Sequence, residues 1–354
     1  MEQTKTLANS GSRLDYLDSV RGLCVLFIVI EHHLLGADFI RNCLYSFSLT
    51  VFFLISGFLY AHKLEWEQPL GSFLKKNLMR IVYPYCTLSI VNLIWNVLYY
   101  KVVFPTAVPD FYSLSEMLLY SVTTYGYNAL WYLPCMFWGA LLFALVRKQK
   151  HHRLIWAVCA VFIILFYILF NDALSGHGLL SYVYSYLFRC YMAMIFLYAG
   201  HLLYDVLRKL KGQRELIVLI GSLMVSGVLM ALYQLCPEQF PIVNLAAHRL
   251  GNPYVYYLAA LAPALAIFIL CRRYRMGSGL LAYFGRNSLI VMALHMDIFV
   301  RIAWYVVAKL GIALGETGNS ILVILMELAM APVFIYFINR FFPFLIKPPR
   351  KAKN

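Results

Sequence analysis

The chain has 354 residues, of which 62% are hydrophobic and 13% charged, and its mean hydropathy is +0.72. A soluble globular domain of this length is far less apolar, so the composition excludes that class and predicts a protein that lies in a lipid bilayer. The net charge of +14 comes from 30 basic and 16 acidic residues. Such an excess is typical of basic loops beside a membrane and, without a stripe of basic and aromatic residues, it indicates no nucleic-acid partner.

Runs of about 20 apolar residues between polar breaks predict an all-α, polytopic membrane helix bundle with about ten transmembrane helices. The predicted spans are 18–35, 42–62, 82–101, 129–146, 154–170, 182–204, 216–235, 254–271, 286–309 and 320–341. Basic residues concentrate in alternate loops, at 63–80, 147–153, 205–215 and 272–279, and in the tail after 341. Cytoplasmic loops carry the excess of lysine and arginine, so both termini are predicted to be cytoplasmic.

The predicted organisation is a single membrane domain over 1–354, with 1–17 as a cytoplasmic N-terminal segment and 342–354 as a basic cytoplasmic tail. No internal repeat of 20 to 50 residues is visible, and the longest predicted loop, 102–128, is too short to hide a soluble domain. The first 20 residues show no apolar run followed by a small-residue cleavage site, so the first span is expected to direct insertion itself.

The first predicted span contains RGLCVLFIVIEHH, which places four polar side chains in an apolar segment. Arg21 and His32 are eleven residues apart, close to three helical turns, so they are expected on one helix face about 16 Å apart. An arginine near the cytoplasmic end suits an anionic cofactor, and an imidazole deeper in the membrane suits proton transfer near neutral pH. An interfacial anchor at Arg21 and a simple inter-helix hydrogen bond at His32 are the alternative.

The group formed by Glu31, His32 and His33 favours a functional role, because ionisable groups inside a membrane are costly and usually functional. Asp18 lies three residues before Arg21, so we expect it to cap the helix and to pair with the guanidinium. That pair is interpreted as structural.

Other polar residues recur inside the predicted spans, namely Arg189, His295, Asp297 and Glu327. Each alone is explained by a contact between helices, and Asp297 is expected to pair with Arg301 four residues later. Together they indicate a polar cavity or pathway within the bundle.

Two further segments have two interpretations each. In FFLISGF, Ser56 and Gly57 remove side-chain bulk, which favours close helix packing and also allows a ligand to approach the backbone. In KKNLMRIVYPY, Lys76 and Arg80 precede Pro84 at a cytoplasmic helix start. The positive-inside bias explains these cations, and a phosphate site would have the same composition.

These segments, in this order, resemble the acyltransferase-3 family of integral membrane acyltransferases. LDYLDSVRGLCVLFIVIEHH resembles the first helix of the family, in which an arginine and a histidine are separated by ten residues. FFLISGF, NLMRIVYPY, LWYLPCMF and YFGRNSLIVMALH are similar to four later motifs, although Asn77 stands where the family commonly has an additional arginine.

The resemblance implies an O-acetyltransferase of the cell envelope, in the cytoplasmic membrane of a bacterium. It implies transfer of an acyl group, usually acetyl, from cytoplasmic acetyl-CoA to a hydroxyl of an extracytoplasmic or lipid-linked cell-surface glycan. The expected partners are therefore acyl-CoA, a glycan or lipid-linked sugar, and membrane lipids. A longer acyl donor stays open, as do the acceptor sugar and the choice between a covalent acyl-enzyme and direct transfer.

The resemblance also implies roles for individual residues. His32 is implied as the base or a transient acyl carrier, Glu31 as its orienting partner, and Arg21 with Arg80 as the cations that hold the phosphates of CoA. The further implied assignments are Lys76, Ser56 and Gly57 for the donor and Trp131, His295 and Arg189 for the acceptor, with no metal. A proton-coupled transporter or flippase of a small polar or glycan substrate is the alternative function, because buried ionisable residues also build proton pathways.

Overall fold

The computed structural model describes residues 13–103, 111–123, 125–174 and 178–349, and nearly all of them are helical. The helices are α1 (Tyr16–His33), α2 (Asp38–Tyr45), α3 (Thr50–His62), α4 (Leu70–Asn77), α5 (Tyr83–Val103), α6 (Phe111–Val122), α7 (Tyr132–Arg147), α8 (His152–Leu174), α9 (Leu179–Lys209), α10 (Gly212–Leu235), α11 (Tyr256–Arg273), α12 (Gly279–Arg286), α13 (Ser288–Leu294), α14 (Val300–Lys309) and α15 (Gly315–Phe341).

Four short helical turns and two π-helical segments connect these helices. The 3₁₀ turns are Glu65–Glu67, Asn128–Trp131, Leu245–Ala247 and Pro343–Leu345, and the π-helical segments are Leu78–Val82 and His295–Phe299. Two short strands, β1 (Val243–Asn244) and β2 (Arg249–Leu250), form an antiparallel pair in which Val243 faces Leu250.

Nine helical segments within the described ranges are long and apolar enough to cross a membrane, which confirms the predicted polytopic helix bundle. They are Asp38–His62, Leu70–Tyr99, Asn128–Arg147, His152–Leu174, Leu179–Lys209, Gly212–Leu235, Tyr256–Arg273, Ser288–Lys309 and Gly315–Phe341. The remaining predicted span, 18–35, coincides with α1, an 18-residue helix made less apolar by Asp18, Arg21 and Glu31. Ten spans and cytoplasmic termini stay predictions.

The structure corrects two predicted loops. The segment 63–80 is largely helical, because α4 continues through the π-helical segment Leu78–Val82 into α5. The helix forms there because Phe73 is buried while the cationic side chains lie on the exposed side. The loop 102–128 contains α6, whose sequence is itself apolar. Predictions for 1–12, 104–110, 124, 175–177 and 350–354, including the end of the basic tail, lie outside the described residues.

Contacts between residues divide the chain into two compact units. The first unit comprises Met1–Ile28, Phe39–Leu74 and Trp138–Arg286, and the second comprises Val29–Asp38, Lys75–Phe137 and Asn287–Asn354. Helix α1 therefore contributes residues to both units. The single domain over 1–354 stays a prediction.

Close backbone packing between α3 and α9 organises the first unit. A Cβ atom built on Gly57 would lie 1.8 Å from the carbonyl oxygen of Leu197, and one built on Gly200 would lie 2.0 Å from that of Leu54. Only glycine permits such an approach, which is the packing that small residues allow between membrane helices. Nearby, Tyr60, Phe143 and Tyr198 belong to a fully buried apolar cluster.

An ion pair joins three helices at one end of the first unit. Arg272 Nη2 at the end of α11 lies 2.8 Å from Glu215 Oε1 of α10 and donates to the carbonyl oxygen of Leu210 at 2.9 Å. Its Nη1 atom donates to the carbonyl oxygen of Leu207 near the end of α9. The arginine therefore satisfies carbonyl groups that the helix end leaves without intrahelical donors.

In the second unit, the π-helical segment His295–Phe299 packs against α5 and α15. Asn92 Nδ2 of α5 donates to the carbonyl oxygen of Ala293 at 3.0 Å, and Trp95 Nε1 donates to that of Asp297 at 2.9 Å. Polar side chains of α5 thus bind the backbone where the helix widens. Such π-helical segments are frequent at functional sites, and this one begins at His295.

Candidate active site in two polar regions

The first unit contains a basic pocket with a volume of about 440 Å³. Its lining residues are Arg13, Leu14, Leu17, Asp18, Arg21, Leu59, Lys63 and Arg286. Four of these side chains are cations and one is a carboxylate. A pocket of this volume is in the ordinary range for small-molecule and cofactor sites.

Helix α12 approaches α1 closely and thereby brings Arg286 to the basic pocket. A Cβ atom built on Gly285 would lie 1.6 Å from the carbonyl oxygen of Asp18, and one built on Gly22 would lie 1.8 Å from that of Leu281. The two glycines therefore permit backbone contact between the helices. Arg286 directly follows Gly285, so its position depends on this contact.

Asp18 organises the arginines of the basic pocket. Arg21 Nη1 lies 3.6 Å from Asp18 Oδ1, which confirms the predicted pair, and Arg13 Nη2 donates to Asp18 Oδ2. That hydrogen bond raises the pKa of the Arg13 guanidinium above its usual value. The Arg21 side chain keeps 27% of its surface exposed, so it can still contact a ligand.

The cation excess of the basic pocket suits a ligand that carries several phosphate groups. Guanidinium groups present planar pairs of donors that match phosphate oxygens, and an ammonium group such as that of Lys63 adds a mobile point charge. Coenzyme A carries phosphates of this kind, so the residues of this pocket fit the predicted donor.

The second unit contains the histidine cluster, which we define as Glu31, His32, His33, His295 and Glu327. The rings of His32 and His295 have centroids 5.3 Å apart, and those of His33 and His295 are 5.9 Å apart, both edge to face. His32 Nδ1 lies 3.7 Å from Glu31 Oε1, and His33 Nε2 lies 3.5 Å from Glu327 Oε1. Each carboxylate therefore faces one imidazole of the cluster.

The backbone fixes the tautomer of His295. Its Nδ1 atom lies 3.1 Å from the carbonyl oxygen of Val291 and 3.0 Å from that of Met292. Carbonyl oxygens only accept hydrogen bonds, so Nδ1 carries the proton and Nε2 of the neutral ring has a free lone pair. His295 is fully buried, and Nε2 has no hydrogen-bond partner among the described residues.

A further polar group, the Asp297 network, lies in the same unit and consists of Asp297, Asn96, Asn128 and Arg301. Asp297 Oδ1 accepts from Asn128 Nδ2 at 2.7 Å and from Asn96 Nδ2 at 3.5 Å. Arg301 Nη2 lies 3.6 Å from the same oxygen, as the spacing of four residues predicts. The carboxyl group is fully buried, and within the described ranges its Oδ2 atom has no hydrogen-bond partner.

Within the described chain, buried polar atoms without a hydrogen-bond partner occur in the first unit, for example Ser19 Oγ and Tyr256 Oη, and also in the interior of the second unit. His295 Nε2, Asp297 Oδ2 and Glu327 Oε2 all lack a hydrogen bond to the described part of the chain. Each such atom is costly, so proteins keep them mainly where a ligand, water or reaction uses them. This interior can therefore bind polar groups and move protons.

The structure brings some of the predicted site residues together and leaves others apart. Arg21 lines the basic pocket, while Glu31, His32 and His295 meet in the histidine cluster. Ser56 and Gly57 belong to the first unit, where Gly57 serves helix packing and Ser56 Oγ donates to the carbonyl oxygen of Phe52.

Four further predicted residues lie outside the basic pocket, the histidine cluster and the Asp297 network. Arg189 is buried in the first unit, and Trp131 is buried in the second. Lys76 and Arg80 are exposed in the second unit, where Arg80 Nη2 donates to Asn77 Oδ1 at 2.6 Å. Donor or acceptor roles for these residues stay predictions.

Sequence reasoning missed several residues of the basic pocket and of the Asp297 network. The sequence does not single out Arg13, Lys63 or Arg286 of the basic pocket, although Arg286 stands inside the quoted segment YFGRNSLIVMALH. Asn96 and Asn128 were also missed. The available signal for Asn96 was its spacing from Asn92, because the two asparagines lie one turn apart in a largely apolar span.

Within the described ranges, no group of three or more His, Cys, Asp or Glu side chains is arranged to hold a metal ion, and the expected absence of a metal stays a prediction. A family model described as an acyltransferase domain matches residues 14–340. No curated protein and no solved structure gives a significant match to this chain.

Proposed function

Since the chain belongs to the acyltransferase-3 family of membrane acyltransferases, we propose that it is an O-acetyltransferase that uses cytoplasmic acetyl-CoA. The proposed acceptor is a hydroxyl of an extracytoplasmic or lipid-linked glycan of the cell envelope, and the proposed location is a bacterial cytoplasmic membrane. One observation supports this most strongly. Arg21 and His32, which form the family's first-helix motif, each lie in the polar region of their own unit.

The basic pocket is proposed to hold the phosphates of the donor. Arg21, Lys63 and Arg286 supply the positive charge, and Asp18 keeps Arg21 and Arg13 in place. The bound donor supplies a thioester, whose carbonyl carbon is the electrophile. Arg80, predicted for the same task, is exposed in the second unit, so a separate substitution must test its contribution.

His32 is proposed as the general base. Glu31 Oε1 lies 3.7 Å from His32 Nδ1, and a carboxylate in this position favours a proton on Nδ1, so that Nε2 is the nitrogen that accepts one. His32 is also more exposed than Glu31, His33 and His295, so it is the imidazole of the cluster that a substrate can reach.

The proposed reaction uses His32 twice. Nε2 removes the proton of the acceptor hydroxyl while the hydroxyl oxygen bonds to the thioester carbonyl carbon. When the carbon–sulfur bond breaks, the His32 imidazolium gives the same proton to the departing sulfur. The products are the O-acyl ester and the free thiol, so atoms and charge balance without another reactant.

The experiment that tests the proposal incubates membranes containing the full chain with acetyl-CoA that is radiolabelled in the acetyl group. Label in the saccharide fraction that disappears under mild alkali, which cleaves esters, is the expected result. Membranes without the chain are the control. Uptake of a glycan or small polar solute into liposomes without acyl-CoA, together with no transfer of label, would contradict the proposal and favour the transporter.

A further inference from the structure

The Asp297 network has features that a purely structural ion pair does not need. Asp297 Oδ1 already has Asn128 at 2.7 Å, and Arg301 lies 3.6 Å away. These contacts suffice to hold the carboxyl group in place. Oδ2 of the same group is buried and has no hydrogen-bond partner in the part of the chain that the structure describes. The orientation of Oδ2 is therefore fixed by its neighbours, and a ligand that reaches this enclosed atom can donate a hydrogen bond to it.

Two aromatic rings contact other atoms of the Asp297 network. Trp95 donates from Nε1 to the backbone oxygen of Asp297 at 2.9 Å, so its indole lies beside the network. The Arg301 guanidinium carbon lies 5.1 Å from the centroid of the Tyr99 ring. Hydroxyl groups need acceptors and amide partners, while the C–H face of a sugar ring packs on aromatic rings. The network supplies a carboxylate acceptor and amide groups, and Trp95 and Tyr99 supply the aromatic rings.

The charge of the Asp297 network selects against an anionic ligand. The Arg301 guanidinium offsets the charge of the carboxylate, so the site has no excess of cations. A carboxylate or phosphate on the ligand would face the free Oδ2 atom and be repelled in a poorly solvated interior. A hydroxyl group instead donates a hydrogen bond to this atom.

The Asp297 network and the histidine cluster share one segment of the backbone, in which residues two positions apart do not face each other. Asp297 is two residues after His295 in the π-helical segment His295–Phe299. Asn128 belongs to the turn Asn128–Trp131, which follows the loop 102–128 that the predicted topology places outside the membrane.

On the basis of the proposed acyltransferase function, we infer that the Asp297 network is the acceptor subsite and that it binds an uncharged saccharide through the hydroxyl groups of the sugar. Asp297 accepts a hydrogen bond from one hydroxyl, and the amides of Asn96 and Asn128 hold the carboxylate in the required orientation. Asp297 thus acts as a substrate-binding residue, and the two asparagines act as positioning residues.

The first arm of the test uses the purified full chain without any substitution. Radiolabelled acetyl-CoA is supplied with neutral methyl hexosides of the gluco, galacto and manno series, or with the corresponding methyl hexuronides, which are anionic. Transfer to at least one neutral glycoside, in preference to its hexuronide, is expected. Preference for the hexuronide would overturn the inference, as would no transfer to any glycoside by a protein that hydrolyses acetyl-CoA.

The second arm compares Asp297→Asn with a matched acid-to-amide control, Asp205→Asn, in which an acid next to Arg208 in the first unit is changed. Loss of the carboxylate is expected to raise KM for the neutral glycoside by roughly tenfold to a hundredfold. Acetyl-CoA binding should be retained, and Asp297→Glu should recover part of the KM change. An equal loss of donor binding, or a fall in kcat without a change in KM, would show that Asp297 has only a structural role.

The two arms separate failure of this inference from failure of the proposed function. A wild-type protein that neither binds nor hydrolyses acetyl-CoA would contradict the proposed acyltransferase itself. A wild-type protein that uses acetyl-CoA, with the same acceptor KM in Asp297→Asn, would contradict only the acceptor subsite.

Discussion

The basic pocket and the histidine cluster use ionisable residues in opposite ways. In the basic pocket, Arg13 and Arg21 share one carboxylate, Asp18, and the pocket keeps an excess of positive charge. In the histidine cluster, the side chains are more deeply buried, and Glu31 and Glu327 each face one imidazole. The first arrangement holds an anion, whereas the second can take up and release a proton.

This difference shows how a helix with several polar residues can be useful in a membrane. Charged residues near the end of a span keep partial contact with solvent, so they cost little and can bind anions. Residues deeper in the bundle lose that solvent, and proton transfer between neutral and charged forms becomes their main chemistry. Substitutions in the two regions should therefore change different measured quantities.

The largest expected effect is the loss of turnover in His32→Ala. Without the general base, acyl transfer should fall by a factor on the order of a hundred to ten thousand. Transfer of labelled acetyl to the saccharide fraction measures the effect. The matched control is His151→Ala, an exposed histidine, which should transfer at the wild-type rate. Wild-type transfer by His32→Ala would remove His32 from the chemistry.

The next effect belongs to the basic pocket. Arg21→Ala and Arg286→Ala should each raise the Kd for acetyl-CoA by roughly tenfold to a hundredfold, since each removes a charged hydrogen-bond donor to phosphate. Equilibrium binding of labelled acetyl-CoA measures the change, with Arg273→Ala, an exposed arginine, as control. If Arg80→Ala has the larger effect and these two have none, the donor site lies with Arg80 instead.

A smaller effect is expected for Glu327→Gln in the histidine cluster. The amide keeps the shape of the carboxylate next to His33 Nε2 but removes its charge, so proton transfer in the cluster should slow by about one order of magnitude. The comparison of kcat with Kd for acetyl-CoA measures this, and Glu316→Gln on the same helix is the control. A change of Kd alone would contradict a role of Glu327 in proton transfer.

Gly57→Ala should reduce stability without a specific effect on either region. Its Cβ atom would lie 1.8 Å from the carbonyl oxygen of Leu197, so α3 and α9 must separate, at a cost of roughly 2 kcal/mol or more. Thermal unfolding in detergent measures the loss. Gly221→Ala is the matched control, because no atom lies within 4 Å of its Cβ position. Equal melting temperatures would contradict the close packing.

The smallest expected effect is a pH dependence at His248, which lies outside the spans. Burial, Arg189 and Arg249 lower the pKa of His248, and Ser185 Oγ lies 2.7 Å from its Nδ1 atom. The unfolded chain therefore binds the proton more readily, and stability should fall as the pH drops below the usual histidine value of about 6.5. Melting temperatures at pH 7.5 and 5 measure this, and His248→Gln should weaken the dependence. An unchanged dependence would contradict the assignment.

Much of the fold followed from the apolar runs, because a bilayer demands helices of nearly fixed length. Nine of the predicted spans correspond to membrane-grade helices in the described chain. The failures were local. Helix α4 and the π-helical segment Leu78–Val82 extend a span into a region where the charges Lys76 and Arg80 had predicted a loop. Charged residues on an exposed helix face cannot be distinguished from loop residues by composition alone.

The candidate site was predictable where one helix supplies its residues and not where tertiary contacts do. Arg21, Glu31 and His32 share α1, so their spacing was informative. The contribution of Arg286 depends on the contact of Gly285 with Asp18, and Asn128 reaches Asp297 from a residue 169 positions away. No local pattern records such contacts. Periodicity also gave no indication of the π-helical segment that begins at His295.

The most direct test of two regions with separate tasks measures Kd for acetyl-CoA and the rate of its turnover in the same two variants, Arg21→Ala and His32→Ala, of the purified full chain. We expect Arg21→Ala to bind acetyl-CoA more weakly but to turn it over when saturated. We expect His32→Ala to bind it as the wild type does without turnover. If the two variants change Kd by the same factor and the turnover rate by the same factor, donor binding and proton transfer are not separate tasks of the basic pocket and the histidine cluster.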